Sequence, residues 1–202
     1  MAITAATRTN LIGLVVGALN KSPGTTMLTS LTAQVEGGAS LADVAATLTA
    51  SAEFTAIYPT FATSEEFAEE FLGNILPEAD AALIAEGVTL IAGLLNSGTT
   101  KAEILLTSVT YLASANGAVD VPTHAGSFTN KVAVATYHTI DLETADSSAT
   151  VIATVTSDAA TVTAAKNTLG GEVTEAAAAA ATALADANTA IEAAVADAAA
   201  VT

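Results

Sequence analysis

The chain has 202 residues, and alanine (49 residues) and threonine (32) dominate its composition. Five basic against 21 acidic side chains give a net charge of −16, which repels nucleic acid and anionic membranes and leaves no basic patch for phosphates. Cysteine is absent, which excludes disulfides, thiolate zinc sites and cysteine nucleophiles. The mean hydropathy of +0.55 reflects alanine, and no apolar run is long enough to predict a transmembrane segment.

The first apolar stretch, Leu11–Leu19, predicts a core helix. Its apolar residues recur at helical spacing, with Thr9 or Asn10 as the N-cap and Pro23-Gly24 as the stop. The alternative is a membrane-inserted export signal, but two glycines interrupt the stretch and the chain start has little positive charge. If the protein leaves the cell, we expect a route that needs no N-terminal signal.

Three capping boxes predict where helices begin in the first half of the chain. In each, a Ser or Thr is followed three residues later by an acidic residue, so that side chain and backbone cap one another. The boxes are Ser40–Asp43, Thr63–Glu66 and Thr100–Glu103. Together with glycine and proline stops, they predict helices over residues 26–34, 40–54, 63–76, 80–96 and 100–113.

Part of this pattern repeats. The stretch Gly38–Thr47 matches Gly98–Thr107 at an offset of 60 residues, with a glycine stop, a hydroxyl N-cap, an acidic third helical residue and an apolar fourth. A looser parallel links Gly17–Pro23 with Gly73–Pro77. Residues 1–115 are therefore predicted to contain two copies of a three-helix unit.

The second half of the chain is predicted to continue the same bundle over residues 116–171. We expect a loop over 116–126, a helix starting near Ser127, and helices within 141–163 that break near Asp146-Ser147 and Ser157-Asp158. Gly170-Gly171 marks the clearest boundary in the sequence. The predicted fold is all-α, a bundle of short helices.

The C-terminal segment, residues 172–202, is predicted to form an Ala-rich helix or a solvated linker. Alanine supplies 16 of its 31 residues and has the highest helix propensity. Ala177, Leu184, Ile191 and Ala198 are spaced seven apart, which is typical of a helix that packs through a seam of small residues, and a solvated helical linker is the alternative.

No catalytic motif is present, and the sequence predicts a protein that is not an enzyme. The chain lacks a G-x-S-x-G elbow, a P-loop and a G-x-G-x-x-G fingerprint. His124 and His138 are 14 residues apart and fit no zinc pattern, so we expect a loop histidine and a helix-end histidine.

Carboxylates are the abundant reactive groups. One patch contains Glu65, Glu66, Glu69 and Glu70, and a second contains Asp141, Glu143 and Asp146. Calcium binds several oxygen ligands and can be shared across an interface, although no EF-hand spacing occurs and the ligands stay unassigned. The alternative for both patches is a solvated acidic face. If calcium offsets the repulsion between subunits, a chelator should loosen the assembly and leave the helices intact.

Two stretches resemble a known family. Ser64-Glu-Glu-Phe67 with Phe71–Leu76, and Ser127-Phe-Thr-Asn-Lys131 with its continuation to Tyr137, resemble the all-helical repeat region of bacterial surface-layer and RTX-type secreted proteins. The resemblance covers about residues 10–168. It implies type I secretion and an N-terminal region that anchors the layer to lipopolysaccharide. The calcium-binding nonapeptide repeats and the C-terminal export signal of that family are absent from this sequence, and the lack of tryptophan leaves no sugar-stacking residue to assign.

Two functions follow from these observations. The first is a non-catalytic, extracellular module of an S-layer-like protein, which self-associates in an array and attaches to the polysaccharide of the outer membrane, the lipopolysaccharide O-antigen. The second is an intracellular helical scaffold or granule-coating protein. Cell fractionation separates them, because the second requires the protein to stay inside the cell.

Overall fold

The computed structural model describes residues 3–171 together with residues 180, 182–184 and 187. The chain divides into two compact units, Met1–Lys166 and Asn167–Thr202. All described residues of the second unit are helical, including Gly170 and Gly171. In the predicted C-terminal seam, the Leu184 side chain is exposed, whereas Ala177, Ile191 and Ala198 lie outside the described residues.

The prediction of an all-α fold is confirmed. The described residues contain one isolated antiparallel bridge, Ser22 to Ser148, and no strand. Nine α-helices precede a π-helical turn, Tyr137–Asp141, and a 3-10 turn, Thr150–Ile152, and residues 159–171 are α-helical again. The nine helices are α1 (Ala5–Leu19), α2 (Gly24–Glu36), α3 (Leu41–Thr49), α4 (Ala52–Ile57), α5 (Ser64–Ile75), α6 (Ala81–Asn96), α7 (Lys101–Leu112), α8 (Ala115–Asp120) and α9 (Pro122–Thr136).

The capping boxes form as predicted. Ser40, Thr63 and Thr100 each accept a hydrogen bond from the third helical N–H, and the acidic side chain there accepts one from the capping residue's own N–H. Asp80 caps α6 in the predicted position. These starts are set by side chains within one turn, which is why the sequence predicts them.

Several predicted boundaries are wrong. Helix α1 begins six residues before Leu11, because Thr4 serves as the N-cap. The predicted helix over 40–54 is two helices, since Ser51 caps a second one. The predicted loop over 116–126 is also helical: Ser114 caps α8, and Pro122 occupies the first turn of α9, where its missing N–H costs nothing.

The predicted helices within 141–163 are largely wrong. Residues 142–149 form an irregular segment, and regular helix returns at 159. This segment is held by tertiary hydrogen bonds, as its N–H and C=O groups pair with residues near the start of α2. Its Thr, Val and Ala content gives little indication of such pairing.

Helix α1 lies at the centre of the first unit. Its residues from Leu11 to Leu19 are all buried, so the helix is surrounded on every side, and the predicted core helix is confirmed. Helices α2, α3, α4, α7 and α9 pack around it. No helix among the described residues has the length and hydropathy that a membrane crossing requires.

A second cluster of core residues is aromatic. Tyr58 lies between the rings of Phe54 and Phe67, with centroid separations of 4.5 and 5.4 Å, and Phe71 stacks on Phe67 at 5.6 Å. The Lys101 ammonium lies 4.4 Å from the centroid of the Phe67 ring. This cluster fixes α4 against α5.

The two-fold repeat is not confirmed. The local backbone features of the repeat do recur. Gly38 and Gly98 both have φ +101°, and the N–H of the residue that follows each glycine donates to the carbonyl five residues earlier. The packing does not recur, because α5 lies along α6, whereas α1 packs chiefly against α9 and α7 rather than α2.

Gly17 sets the close approach of α1 to α7. A Cβ atom at this position would lie 2.5 Å from Val109 Cγ2 and 3.3 Å from Leu105 Cδ1. We expect Gly17→Ala to lower the free energy of unfolding by about 1–3 kcal/mol, because the stiff Val109 side chain must be displaced. Urea unfolding followed by circular dichroism measures this. Gly73→Ala in α5 is the control, because no atom lies within 4 Å of its added Cβ, and alanine should raise stability by up to about 1 kcal/mol. Equal effects of the two changes would contradict the close approach.

Burial raises the pKa of Tyr58 to about 12, from an ordinary value of 10.0. Above pH 10 the Tyr58 phenol therefore loses its proton in the unfolded chain and keeps it in the folded chain. The free energy of unfolding falls as the pH rises for this reason. The loss attributable to Tyr58 approaches about 2–3 kcal/mol near pH 12. Stability measured by urea unfolding should fall less steeply with pH in Tyr58→Phe than in the wild type. Parallel curves would show that this phenol ionises equally well in both states.

Candidate functional site

A groove of about 590 Å³ lies between the first turn of α1, one face of α2 and the π-helical turn. Its walls combine hydroxyl groups, aliphatic side chains and three charges, and we call it the threonine groove. It is lined by Ile3, Arg8, Thr25, Leu28, Thr29, Thr32, Glu36, Thr139, Ile140 and Glu143.

Helix α2 supplies a stripe of hydroxyls to this groove. Thr25, Thr29 and Thr32 recur at helical spacing on one face, with Leu28 buried among them. Their hydroxyls make no hydrogen bond to any described residue, whereas threonines elsewhere, such as Thr47 and Thr89, bond back to the carbonyl four residues earlier. The three hydroxyls are therefore available to a ligand as donors and acceptors.

The irregular segment after the π-helical turn is fixed to the start of α2. Ser22 and Ser148 exchange two backbone hydrogen bonds of 2.8 and 2.9 Å, and the Thr25 N–H donates to the Thr144 carbonyl at 2.8 Å. Gly24 has φ +65°, and a Cβ there would lie 2.5 Å from backbone atoms of Asp146. Only glycine fits this position, so the wall of the groove depends on it.

The π-helical turn places two residues in the groove. Thr139 and Ile140 both line it, and the Thr139 hydroxyl lies 3.0 Å from the Ser22 hydroxyl. The same Ser22 oxygen lies 3.0 Å from His138 Nδ1, so His138 is a buried structural residue at a helix end, as predicted. π-Helical turns recur at functional sites because they redirect side chains within a helix.

Glu143 enters the groove from a left-handed backbone conformation. Its φ is 51°, which is uncommon for residues other than glycine. Flanking hydrogen bonds hold it there: the Leu142 N–H donates to Tyr137, and the Thr144 N–H donates to His138. Such a conformation persists where the surrounding structure imposes it, and it is frequent at binding sites.

Arg8 is the distinctive charge of the groove. The four lysines have partners: Lys21 pairs with Glu53 at 2.6 Å, Lys131 donates to Asn20, and Lys101 and Lys166 lie against aromatic rings. The exposed guanidinium of Arg8 has no such partner within the described part of the chain. Among residues 3–171, Arg8 is therefore the one basic side chain without such a partner. It lies in a groove that also contains two carboxylates, those of Glu36 and Glu143.

A second groove, of about 510 Å³, lies between α1, α7 and α9. Its floor is apolar, with Val109, Phe128 and Val132, and Lys166 and Asp141 lie at its rim. The Lys166 ammonium lies 5.2 Å from the centroid of the Tyr137 ring. It differs from the threonine groove because the hydroxyls of its three threonines, Thr9, Thr129 and Thr136, all donate to backbone carbonyls of their own helices.

The structure arranges the two predicted carboxylate patches differently. The second patch is divided: Glu143 lines the threonine groove, Asp141 the apolar groove, and Asp146 a third depression beside α2. Glu65, Glu66, Glu69 and Glu70 are exposed on α5, where Glu66 completes a capping box. Among the described residues, no group of three His, Asp or Glu side chains is placed to hold a metal ion.

His124 lies in helix α9 and not in the predicted loop. Its Nδ1 atom is buried without a hydrogen-bond partner, as is the Ser127 hydroxyl one turn later. Both lie near Glu78, which accepts hydrogen bonds from the Ser157 N–H at 3.0 Å and hydroxyl at 2.9 Å. Although partial burial opposes ionisation, the nearby Ser127 hydroxyl, the two hydrogen bonds from Ser157 and the charge of His124 lower the pKa of Glu78 below its usual value. This cluster ties the α5–α6 connection to residue 157.

Comparison with known proteins identifies no relative: no family model matches the chain, and neither a curated protein nor a solved structure is similar to it.

The sequence motifs do not predict the threonine groove, because they point to clusters of carboxylates and histidines. Two signals for it are nonetheless present in the sequence. Thr25, Thr29 and Thr32 follow the period of one helix face, and Arg8 is the only arginine in the chain. What the sequence does not indicate is that the first turn of α1 and residues 139–143 lie beside that face.

Proposed function

We propose that this protein is a non-catalytic module of an S-layer-like protein at the bacterial cell surface, where it attaches to the outer-membrane polysaccharide and self-associates. The observation that carries the proposal is the threonine groove, because its chemistry suits a hydroxyl-rich ligand. The resemblance to surface-layer proteins supports the same function.

The groove offers a sugar chain each kind of contact that it needs. Carboxylates of Glu36 and Glu143 accept hydrogen bonds from sugar hydroxyls, and the Arg8 guanidinium donates several in a fixed geometry. Leu28, Ile3 and Ile140 supply aliphatic surface for the C–H face of a ring. None of the described residues that line the groove is aromatic, so the proposed binding depends on hydrogen bonds rather than on stacking.

The charge of the protein selects among polysaccharides. A net charge of −16 repels polyanionic chains, and one arginine does not reverse that field. We therefore infer that the ligand is a neutral or weakly charged polysaccharide, which fits an O-antigen better than a phosphate-rich core.

Calcium enters the proposal as an ion shared between subunits. Two acidic surfaces that meet across an interface repel each other, and a divalent cation coordinated by carboxylates of both offsets that repulsion. The exposed glutamates of α5 are suited to such sharing because their oxygens face solvent.

Arg8→Gln tests the groove. Loss of a charge-assisted hydrogen bond costs about 1.5–3 kcal/mol, so binding to smooth lipopolysaccharide of the source strain should weaken by about tenfold or more. Isothermal titration calorimetry measures the affinity, with rough lipopolysaccharide lacking the O-antigen as the comparison ligand. Lys21→Gln is the matched control, since it removes the same charge from a residue that does not line the groove. Equal losses in both variants would show that net charge, not the groove, governs binding.

Electron microscopy of cells with and without the gene tests the wider function. We expect a surface layer in the wild type that is lost or detached in the deletion strain, since an anchoring module holds the layer to the envelope. An unchanged envelope, with the protein recovered in the cytoplasmic fraction, would favour the intracellular scaffold instead.

A further inference from the structure

The apolar groove between α1, α7 and α9 has the size and lining of a small-molecule site. Its volume of about 510 Å³ lies within the range of about 300–1,000 Å³ that is common for ligand pockets. Val109, Phe128 and Val132 form its floor, and the rest of each of these side chains is buried in the core. The groove shares no lining residue with the threonine groove, so the two are separate sites.

The threonines of the apolar groove offer a ligand mainly their methyl groups. The hydroxyls of Thr9, Thr129 and Thr136 donate to carbonyls of their own helices at 3.2, 2.8 and 2.8 Å. Each hydroxyl has thereby used its one donor, so none of the three presents a free O–H to the groove. Together with the floor, these methyl groups make the interior suitable for a hydrocarbon chain.

Gly13 leaves unfilled space in the floor of the groove. A Cβ atom at this position would lie 3.5 Å from Val109 Cγ1, 3.7 Å from Phe128 Cζ and 3.9 Å from Val132 Cγ2, all ordinary van der Waals distances. Alanine would therefore fit, and it would stabilise the helix relative to glycine. At Gly17, by contrast, a Cβ atom would lie 2.5 Å from Val109, so close packing accounts for that glycine. Packing does not account for Gly13, whereas a ligand that occupies the space would.

The rim of the groove carries one charge of each sign. The Asp141 carboxylate and the Lys166 ammonium both line the groove, yet within the described residues they form no ion pair with each other. Asn10 adds a side-chain amide. A carboxylate head group would be repelled by Asp141, and an ammonium head group would be repelled by Lys166. A neutral head group with both a donor and an acceptor, such as an amide, can hydrogen-bond to both residues.

We propose that the apolar groove binds a neutral, single-chain amphiphile of the fatty-amide class. The hydrocarbon chain lies on the floor beside Gly13, and the amide lies at the rim between Asp141 and Lys166. Repulsion from the net charge of −16 further disfavours a fatty-acid anion. This site goes beyond the proposed function and does not depend on it.

Three probes with the same chain and different head groups test the chemistry: octanamide, octanoate and octylammonium. Nuclear magnetic resonance titration of the full chain, below the concentrations at which the probes form micelles, gives both affinity and location. We expect octanamide to bind more tightly than either charged probe, by about threefold or more, because it alone avoids repulsion at the rim. Its shift changes should centre on Gly13 and Val132. Absence of octanamide binding, an equal or higher affinity for a charged probe, or shift changes centred elsewhere would overturn the proposal.

Gly13→Ala tests the floor of the site. The added methyl group occupies space that the chain would otherwise contact, so the affinity for octanamide should fall by about fourfold, the effect of losing one buried methylene. Thermal melting followed by circular dichroism should show a stability equal to or above that of the wild type, since alanine fits here.

Gly73→Ala is the matched control, because it makes the same change at an exposed helical glycine outside the groove. It should leave the affinity for octanamide unchanged. Unchanged affinity in Gly13→Ala, or an equal loss in both variants, would refute the site. If Gly13→Ala unfolds instead, the head-group series and the shift changes in the wild type still decide the proposal.

Discussion

The burial of α1 on every side is the constraint on which the rest of the first unit depends. Nine consecutive buried residues leave this helix without a solvent face beyond its first turns, so several other helices must cover it. Gly17 permits one of them, α7, to approach closely. Small residues at such contacts let the helices approach closely, and large buried side chains such as Phe54 and Phe71 fill the space elsewhere in the core.

The same constraint determines where a binding groove can form. The first turns of α1, up to Asn10, extend beyond its buried part, and Arg8 lies in these turns. Helix α2 and the segment after the π-helical turn meet at this end, joined by the hydrogen bonds of Ser22, Thr25 and Ser148. The groove thus forms where the exposed first turns of α1 lie beside α2 and the segment after the π-helical turn. Its hydroxyl groups come mainly from the threonines of α2.

Local signals predict the fold well wherever a helix start depends on neighbours in sequence. Ser40, Thr63, Asp80 and Thr100 all cap helices as predicted. Prediction fails where tertiary contacts decide, as in residues 142–149, whose backbone pairs with α2. It fails in the same way for the site: the acidic residues near position 143 are adjacent in sequence, yet the backbone directs them to separate depressions. For this second patch, clustering in sequence does not correspond to clustering in space.

In the proposed function, the distribution of charge affects both attachment and assembly. Within residues 3–171, each of the four lysines contacts a carboxylate, an amide oxygen or an aromatic ring, and the Arg8 guanidinium is the one basic group without such a partner. Contacts between identical acidic chains then have two routes, cation bridging between carboxylates or pairing of uncharged faces. These routes respond oppositely to added salt, since screening weakens cation bridges and relieves the repulsion that opposes apolar pairing. An assembly held by apolar contacts alone would therefore form more readily as ionic strength rises, and one held by calcium alone would come apart.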